Sequence, residues 1–238
     1  MEKYDEFLER ISYQQAQLQI GEGDFTPDGR VYGKVNADNT FRTFYGDTVV
    51  FDLKRNTKKK IAKMTDMLYE YVPECFCERL PEDTFHMTLH DLSASDNLSE
   101  VACEVFDNEV RLLQLLKEMP IKSQTIEMKM NYVVNMVNTS LVLALVPVNE
   151  HEWNKLQKLY TFINKIKVCP YPFLTPHITL AYYSHKGFSK SSADKLKEVV
   201  SELNTKSLEI TLHTDKLFYQ KFISMKDYIS VFGMTSMQ

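Results

Sequence analysis

The sequence predicts an α+β protein with two lobes related by a pseudo-twofold axis. Each lobe is expected to be an antiparallel sheet with helices packed outside it, and a central cleft is expected between the lobes. Two observations predict this fold. Short apolar stretches typical of strands alternate with amphipathic stretches typical of helices. The same element order, strand, helix, strand, helix, strand, then occurs in both halves of the chain.

The predicted elements follow from the spacing of apolar residues. Helical spacing predicts helices at 1–18, 58–71, 98–117, 152–167 and 190–203. Runs or alternation of apolar residues predict strands at 48–53, 84–91, 125–137, 140–148, 175–183, 207–216 and 228–232. Pro120 is expected to stop the third helix, because proline cannot continue one.

Two regions differ in composition. Residues 1–45 form an N-terminal helix and a preface that is rich in glycine, since five of the seven glycines lie between residues 21 and 46. Pro27-Asp28-Gly29 indicates a turn, so we expect the preface to be a loop or hairpin rather than core. Residues 46–233 form the larger domain, with lobe one at about 46–138 and lobe two at about 139–233.

The composition limits the partners and the cellular location that we expect for the protein. The net charge of −4 argues against binding to long duplex nucleic acid, which usually needs a basic surface. The N-terminus lacks a signal pattern, and the longest apolar run, 141–148, is too short to span a membrane. The four cysteines are too few and scattered for a disulfide framework; they are Cys75, Cys77, Cys103 and Cys169. We therefore expect reduced thiols, a cytoplasmic location, no membrane partner and a monomer.

A four-residue motif occurs once in each half of the chain. It reads His86-Met87-Thr88-Leu89 in the first half and His177-Ile178-Thr179-Leu180 in the second, and the two histidines are 91 residues apart. Side chains at i and i+2 share one face of a strand. Each motif strand is therefore expected to present one imidazole and one hydroxyl to the cleft.

This pair of motifs fits the chemistry of phosphodiester cleavage. The reaction needs a base for the nucleophile and an acid for the leaving oxygen, and histidine can take either role near neutral pH. The hydroxyls of Thr88 and Thr179 can donate to the non-bridging phosphate oxygens, where negative charge collects. Because the motifs are equivalent, the two imidazoles are expected to have similar pKa values.

The paired motifs resemble those of the two-histidine (2H) phosphoesterase superfamily, which includes LigT-like RNA 2′,3′-cyclic phosphodiesterases and plant-type cyclic nucleotide phosphodiesterases. The resemblance covers about residues 45–233, and Gly46-Asp47-Thr48-Val49-Val50 is similar to a poorly characterised cyclic-phosphodiesterase-like branch. It implies a LigT-like bilobal fold with no metal and no cofactor. It also implies catalytic roles for His86, Thr88, His177 and Thr179, with His86 as proton donor and His177 as acceptor.

Four further residues are candidates for substrate binding. His90 and Tyr183 are expected on the cleft face of the motif strands, where Tyr183 would stack on a base and Tyr182 would face the core. Arg42 and Tyr45, together with Arg30 and Lys34, are expected either to form a lid over the phosphate or to be solvated loop residues.

Three functions remain open from the sequence alone. The first is a phosphodiesterase that hydrolyses a cyclic phosphate or a 2′–5′ type linkage in a nucleotide or at an RNA end. The second is a module that binds nucleotides or RNA ends without turnover. The third is a metal-dependent hydrolase with His86 and His90 as ligands, although the familiar metal-binding version of this spacing occurs on a helix.

Overall fold

The computed structural model describes residues 2–118, 121–168 and 173–235. Within these ranges the helices are α1 (Tyr4–Gln17), α2 (Arg55–Tyr71), α3 (Leu98–Glu118), α4 (Glu150–Ile163) and α5 (Lys190–Leu203). The strands are β1 (Tyr45–Asp52), β2 (His86–Ser95), β3 (Thr125–Met136), β4 (Ser140–Pro147), β5 (His177–Tyr182), β6 (Glu209–His213), β7 (Leu217–Ser224) and β8 (Asp227–Gly233). Pro120 and Cys169, for which a helix stop and a reduced thiol were predicted, lie outside the described residues.

The strands form two antiparallel sheets of four strands each, which confirms the predicted α+β class. The strand order is β2-β1-β7-β8 in the first sheet and β5-β4-β3-β6 in the second. Helix α3 packs on β1 and β2, while α4 packs on β3 and β4. The apolar sides of both sheets are covered in this way, and the two motif strands, β2 and β5, are left at sheet edges.

The strands do not follow the predicted lobe boundary at residues 138 and 139. Strand β3, expected in lobe one, pairs with β4 and β6 in the second sheet. A tight turn at Val137 and Asn138, with φ of +48° and +55°, makes β3 and β4 a hairpin. Strand β7 was missed, because a short turn at Thr214–Lys216 ends β6 and directs the chain back to the first sheet.

The prediction that the preface lies outside the core was wrong. Val31 and Val35 are fully buried, and Phe25 and Phe41 are nearly so. The preface has little regular structure apart from a short 3₁₀ helix at Gly29–Val31. Its backbone bridges to the rest of the chain, as between Phe25 and Phe188, so the apolar side chains pack inside without a strand or helix of their own.

Helix α1 is an integral part of the second lobe. The Phe7 ring stacks on Trp153 with a centroid separation of 4.1 Å. Tyr132 donates its hydroxyl to the Ile11 carbonyl at 2.9 Å, and the indole of Trp153 donates to the Glu2 carbonyl at 3.1 Å. These contacts fix the position of α1 against α4 and β3, and one face of α1 borders the cleft described below.

Two expectations from composition can be compared with the described residues. Cys75, Cys77 and Cys103 are free thiols. Among the helices that the structure describes, none is long and apolar enough to cross a membrane.

Gly46 lies where β1 has to pass very close to its neighbours. A Cβ atom there would overlap the Ser93 carbonyl on β2 and the Phe222 ring on β7. We predict that Gly46→Ala lowers the free energy of unfolding by roughly 1–3 kcal/mol or more, the range for overpacking. Denaturant unfolding measures this loss. Gly33→Ala is the control, because its Cβ would meet its nearest atoms at 3.8 Å; equal stability of the two variants would contradict the prediction.

Candidate active site

The two motif strands face one central cleft between the sheets. His86, Thr88, His177 and Thr179 all line this cleft, a cavity of about 980 Å³. Strands β2 and β5 are neighbours in space. The structure therefore brings together the four residues predicted to be catalytic, although they come from sites 91 positions apart in the chain.

Each motif strand has a β-bulge directly after its threonine. Opposite β1, Val50 pairs with Thr88 and Val49 with His90, which leaves Leu89 as an extra residue. Opposite β4, Val142 pairs with Thr179 and Leu141 with Ala181, which leaves Leu180 as the extra residue. The motif threonine is thus the last residue that the regular alternation places beside its histidine.

The two imidazoles are held by equivalent hydrogen bonds. Nδ1 of His86 lies 2.7 Å from the Thr84 carbonyl, and Nδ1 of His177 lies 2.8 Å from the Thr175 carbonyl. A carbonyl oxygen can only accept, so each ring carries its proton on Nδ1. Nε2 is then the nitrogen of each ring that is available to exchange a proton in the cleft.

The bulge in β5 overturns one expected binding residue, Tyr183, and one expected core residue, Tyr182. Tyr183 is fully buried among Phe25, Phe76 and Phe188 and does not line the cleft. Tyr182, expected in the core, lines the cleft instead. The single extra residue in β5 breaks the i, i+2 alternation on which the prediction was based.

His90 lines the cleft but is buried, with both ring nitrogens engaged. Nδ1 lies 2.6 Å from the Asp91 carbonyl, and Nε2 lies 2.9 Å from Oδ1 of Asn164. These contacts join β2 to the end of α4, so His90 connects the two lobes. It does not form a ligand pair with His86, and no group of three metal-binding side chains occurs within the described ranges.

Of the four preface residues that were lid candidates, two reach the cleft and the two predicted to bind substrate do not. Arg42 is exposed, pairs with Asp96 at 3.5 Å and does not line the cleft. Tyr45 begins β1, outside the cleft. Arg30 and Lys34 line it instead, because the buried Val31 and Val35 orient this segment.

Lys34 is the cation that the structure places most directly in the cleft wall. Its Nζ lies 5.2 Å from the centre of the Phe44 ring and 5.5 Å from that of Tyr182, within cation–π range. Burial lowers the pKa of Lys34, and the nearby Asp91 carboxylate partly offsets this effect. Water therefore solvates this ammonium poorly, which favours its pairing with an anion in the cleft.

Arg10 supports the segment that precedes His177. It donates to Oγ1 of Thr175 at 3.0 Å and to the Leu174 carbonyl at 2.9 Å, while Glu2 pairs with it at 2.7 Å. The carbonyl that anchors His177 belongs to the same Thr175. Sequence patterns gave no signal for Arg10, because it reaches the cleft only through long-range packing, whereas Lys34 had been a candidate for a lid over the phosphate.

The two histidines lie in unlike surroundings, despite their equivalent anchors. Burial in the cleft wall lowers the pKa of His86 to about 4, and the positive charges of Lys58 and His177 act in the same direction. The hydrogen bond to the Thr84 carbonyl and the charge of Asp91 partly oppose this shift. Before substrate binds, His86 is therefore neutral at pH 7.

Asp47 is a buried carboxyl at another part of the cleft wall. Its oxygens accept hydrogen bonds from Asn108 at 3.1 Å and from the Tyr219 hydroxyl at 3.0 Å. Burial raises its pKa from 3.8 to about 6, against the lowering effect of these hydrogen bonds.

Three solved structures are similar to this chain at low sequence identity. A conserved protein of unknown function from Agrobacterium tumefaciens, ATU0111, matches with a TM-score of 0.67 and 12% identity over 88% of this chain and 94% of that one. A phosphoesterase matches at 0.46 and 15%, over 79% and 95%. Apo LigT from E. coli matches at 0.46 and 16%, over 80% and 96%. No family model matches the sequence, and no curated protein does.

The raised pKa of Asp47 predicts a pH dependence of stability. The folded state binds this proton more tightly than the unfolded state, so the contribution is complete below pH 3.8 and is lost as pH rises through about 6. Over that interval it amounts to roughly 3 kcal/mol. Denaturant unfolding of wild type and Asp47→Asn from pH 4 to 7 measures it. We expect wild type to lose stability relative to the variant as pH rises; a constant difference would contradict the prediction.

Proposed function

We propose that this chain is a metal-independent phosphodiesterase of the two-histidine class. One observation carries the proposal. Two imidazoles line a single cleft with equivalent Nδ1 anchors, and each is followed two residues later by a threonine that lines the same cleft. This arrangement supplies two proton-exchanging nitrogens and two hydroxyl donors to one bound phosphate.

The proposed substrate is a nucleotide or an RNA end with a cyclic phosphate or a 2′–5′ type linkage. The cleft volume of about 980 Å³ is at the upper end of the usual range for small-molecule sites. The aromatic residues Phe44, Tyr182 and Tyr228 line it together with Lys34, which suits a base and a phosphate in one ligand. The proposal includes a monomer in the cytoplasm, in keeping with the free thiols.

The proposed reaction divides two proton transfers between the histidines. One neutral imidazole accepts a proton from the attacking hydroxyl or water as the new P–O bond forms. The other, protonated imidazole donates a proton to the oxygen whose bond to phosphorus breaks. Thr88 and Thr179 donate to the non-bridging oxygens as charge develops on them. Protons and charge therefore balance without a further reactant.

The resemblance and the pKa of His86 favour opposite directions of proton transfer. The resemblance implies that His86 is the donor. With a pKa of about 4, however, only about one His86 in 1,000 is protonated at pH 7 in the free protein. A bound phosphate anion raises this pKa, but the neutral resting state of His86 favours it as the base, which would leave the acid role to His177.

The first prediction for this function concerns loss of turnover. Purified protein should hydrolyse a 2′,3′-cyclic nucleotide or a 2′–5′ dinucleotide in excess EDTA. His86→Ala and His177→Ala should each lower kcat by at least about 10²-fold, the usual contribution of one proton transfer. His151→Ala is the matched control, because His151 is exposed on α4 and outside the cleft.

Two results would contradict the proposed function and favour a different one. Loss of activity in EDTA and its return with zinc would favour a metal-dependent hydrolase. Binding of these nucleotides without any turnover by the wild type would favour a binding module.

The second prediction separates acid from base. A p-nitrophenyl phosphodiester has a leaving group that needs no protonation, so the variant that lacks the acid should recover most of its lost rate. If His86 is the base, His177→Ala is rescued and His86→Ala is not. The acid limb of kcat/KM should then lie near pH 4, since activity falls as His86 becomes protonated. Rescue of His86→Ala alone would establish the direction that the resemblance implies.

A further inference from the structure

A second cavity adjoins the central cleft at His86. Its volume is about 630 Å³, which is large enough for a nucleoside. Residues from the start of β2, from β7 and from β8 line it. Thr84, His86 and Tyr228 line both cavities.

His86 and Tyr228 form the boundary between the two cavities. Their rings are in edge-to-face contact, with centroids 4.9 Å apart. A phosphate beside Nε2 of His86 is therefore next to both spaces. A cyclic mononucleotide has a single nucleoside and needs only the central cleft. A linear diester has a substituent on each side of phosphorus, and the second substituent needs a space of its own.

The charges of the second cavity do not suit a phosphate. Asp52, Asp83 and Asp227 line it against two lysines. Lys58 is paired with Asp52 at 2.6 Å and also donates to the Asp83 carbonyl, and Lys226 is paired with Glu78 at 2.9 Å. Carboxylates thus balance the positive charges of both lysines, so the second cavity favours a ligand without negative charge.

Gln220 gives the second cavity an unused hydrogen-bonding group. Its side chain is nine-tenths buried. The amide nitrogen donates to Oγ of Ser230 at 2.9 Å, whereas Oε1 has no partner. An unsatisfied buried acceptor is unfavourable, and a ligand whose N–H or O–H donor draws Oε1 into the cavity would satisfy it. Ile223, Ile229 and Tyr228 add an apolar wall.

We propose that the second cavity binds one nucleoside of a linear dinucleotide or RNA end, on the His86 side of its phosphate. A nucleoside combines the hydroxyl and N–H donors, the apolar ring face and the neutral charge that this space accepts. The oxygen that exchanges its proton with His86 would belong to this nucleoside, either as leaving group or as attacking ribose hydroxyl. The inference rests on the proposed phosphodiesterase function and adds that linear diesters are its preferred substrates.

The test compares two linear substrates with one cyclic substrate. The linear substrates are the 2′–5′ and 3′–5′ adenylyl-adenosines, and the cyclic one is adenosine 2′,3′-cyclic phosphate. Ser230→Trp blocks the second cavity from an exposed position on β8, so it should fold. It should lower the ratio of kcat/KM for linear over cyclic substrate at least about tenfold. Gln220→Ala should lower the same ratio about two- to tenfold, as expected for one hydrogen bond.

Gln157→Ala is the matched control. Gln157 is a glutamine of similar burial on α4 and lines neither cavity, so its replacement should leave the ratio unchanged. An unchanged ratio in Ser230→Trp, or a wild type that cleaves only the cyclic substrate, would overturn the inference while leaving the phosphodiesterase proposal intact.

A binding measurement tests the nucleoside site in the second cavity independently of the phosphodiesterase proposal. Calorimetry with the 2′–5′ dinucleotide and His177→Ala measures affinity without depending on turnover. Adding Ser230→Trp to that variant should weaken binding at least about tenfold, the effect of excluding one of two nucleosides. Equal affinity would overturn the inference even if the wild type proves to be inactive, whereas absence of turnover alone would overturn only the phosphodiesterase function.

Discussion

The hydrogen bond from each imidazole Nδ1 to a carbonyl two residues earlier is the constraint on which the site depends. Thr84 and Thr175 supply these carbonyls. Each bond fixes both the tautomer and the orientation of the ring, so that Nε2 is the nitrogen left for chemistry. The rest of the fold holds these two carbonyls in place: Lys58 binds the Asp83 carbonyl next to one of them, and Arg10 holds Thr175 itself.

The sequence predicted the parts of the site that depend on local pattern. Apolar periodicity identified both motif strands, and the repeat of element order implied that His86 and His177 face one cleft. Prediction failed where the pattern is interrupted by one residue. The bulge at Leu180 in β5 exchanges the expected positions of Tyr182 and Tyr183. Such a bulge depends on pairing with β1 and β4, and no residue type in the motif requires it.

The sequence also did not reveal how unlike the two halves of the site are. Equivalent motifs gave no sign that the pKa of His86 is lowered; the lowering arises from burial and from nearby positive charges, among them Lys58 on α2. Lys34 and Arg10 reach the cleft from residues 1–45, which have no counterpart in the other half of the chain. Backbone symmetry thus positions the two histidines, while burial and nearby charge keep the His86 ring neutral before substrate arrives.

The cleft exists because each sheet leaves its motif strand at an edge. Exposed edge strands can pair with other strands, and direct pairing of the edge strands β2 and β5 would close the site. The two lobes are instead joined at points around it. His90 bonds to Asn164, and Cys77 donates its backbone N–H to the Tyr182 carbonyl at 3.0 Å, covering the end of β5. These links hold the strands side by side without a ladder between them, so the distance across the cleft is set by the fold before any ligand binds. A preorganised pair of imidazoles needs no costly rearrangement when a phosphate enters, and this is the property that general acid–base catalysis requires of the scaffold.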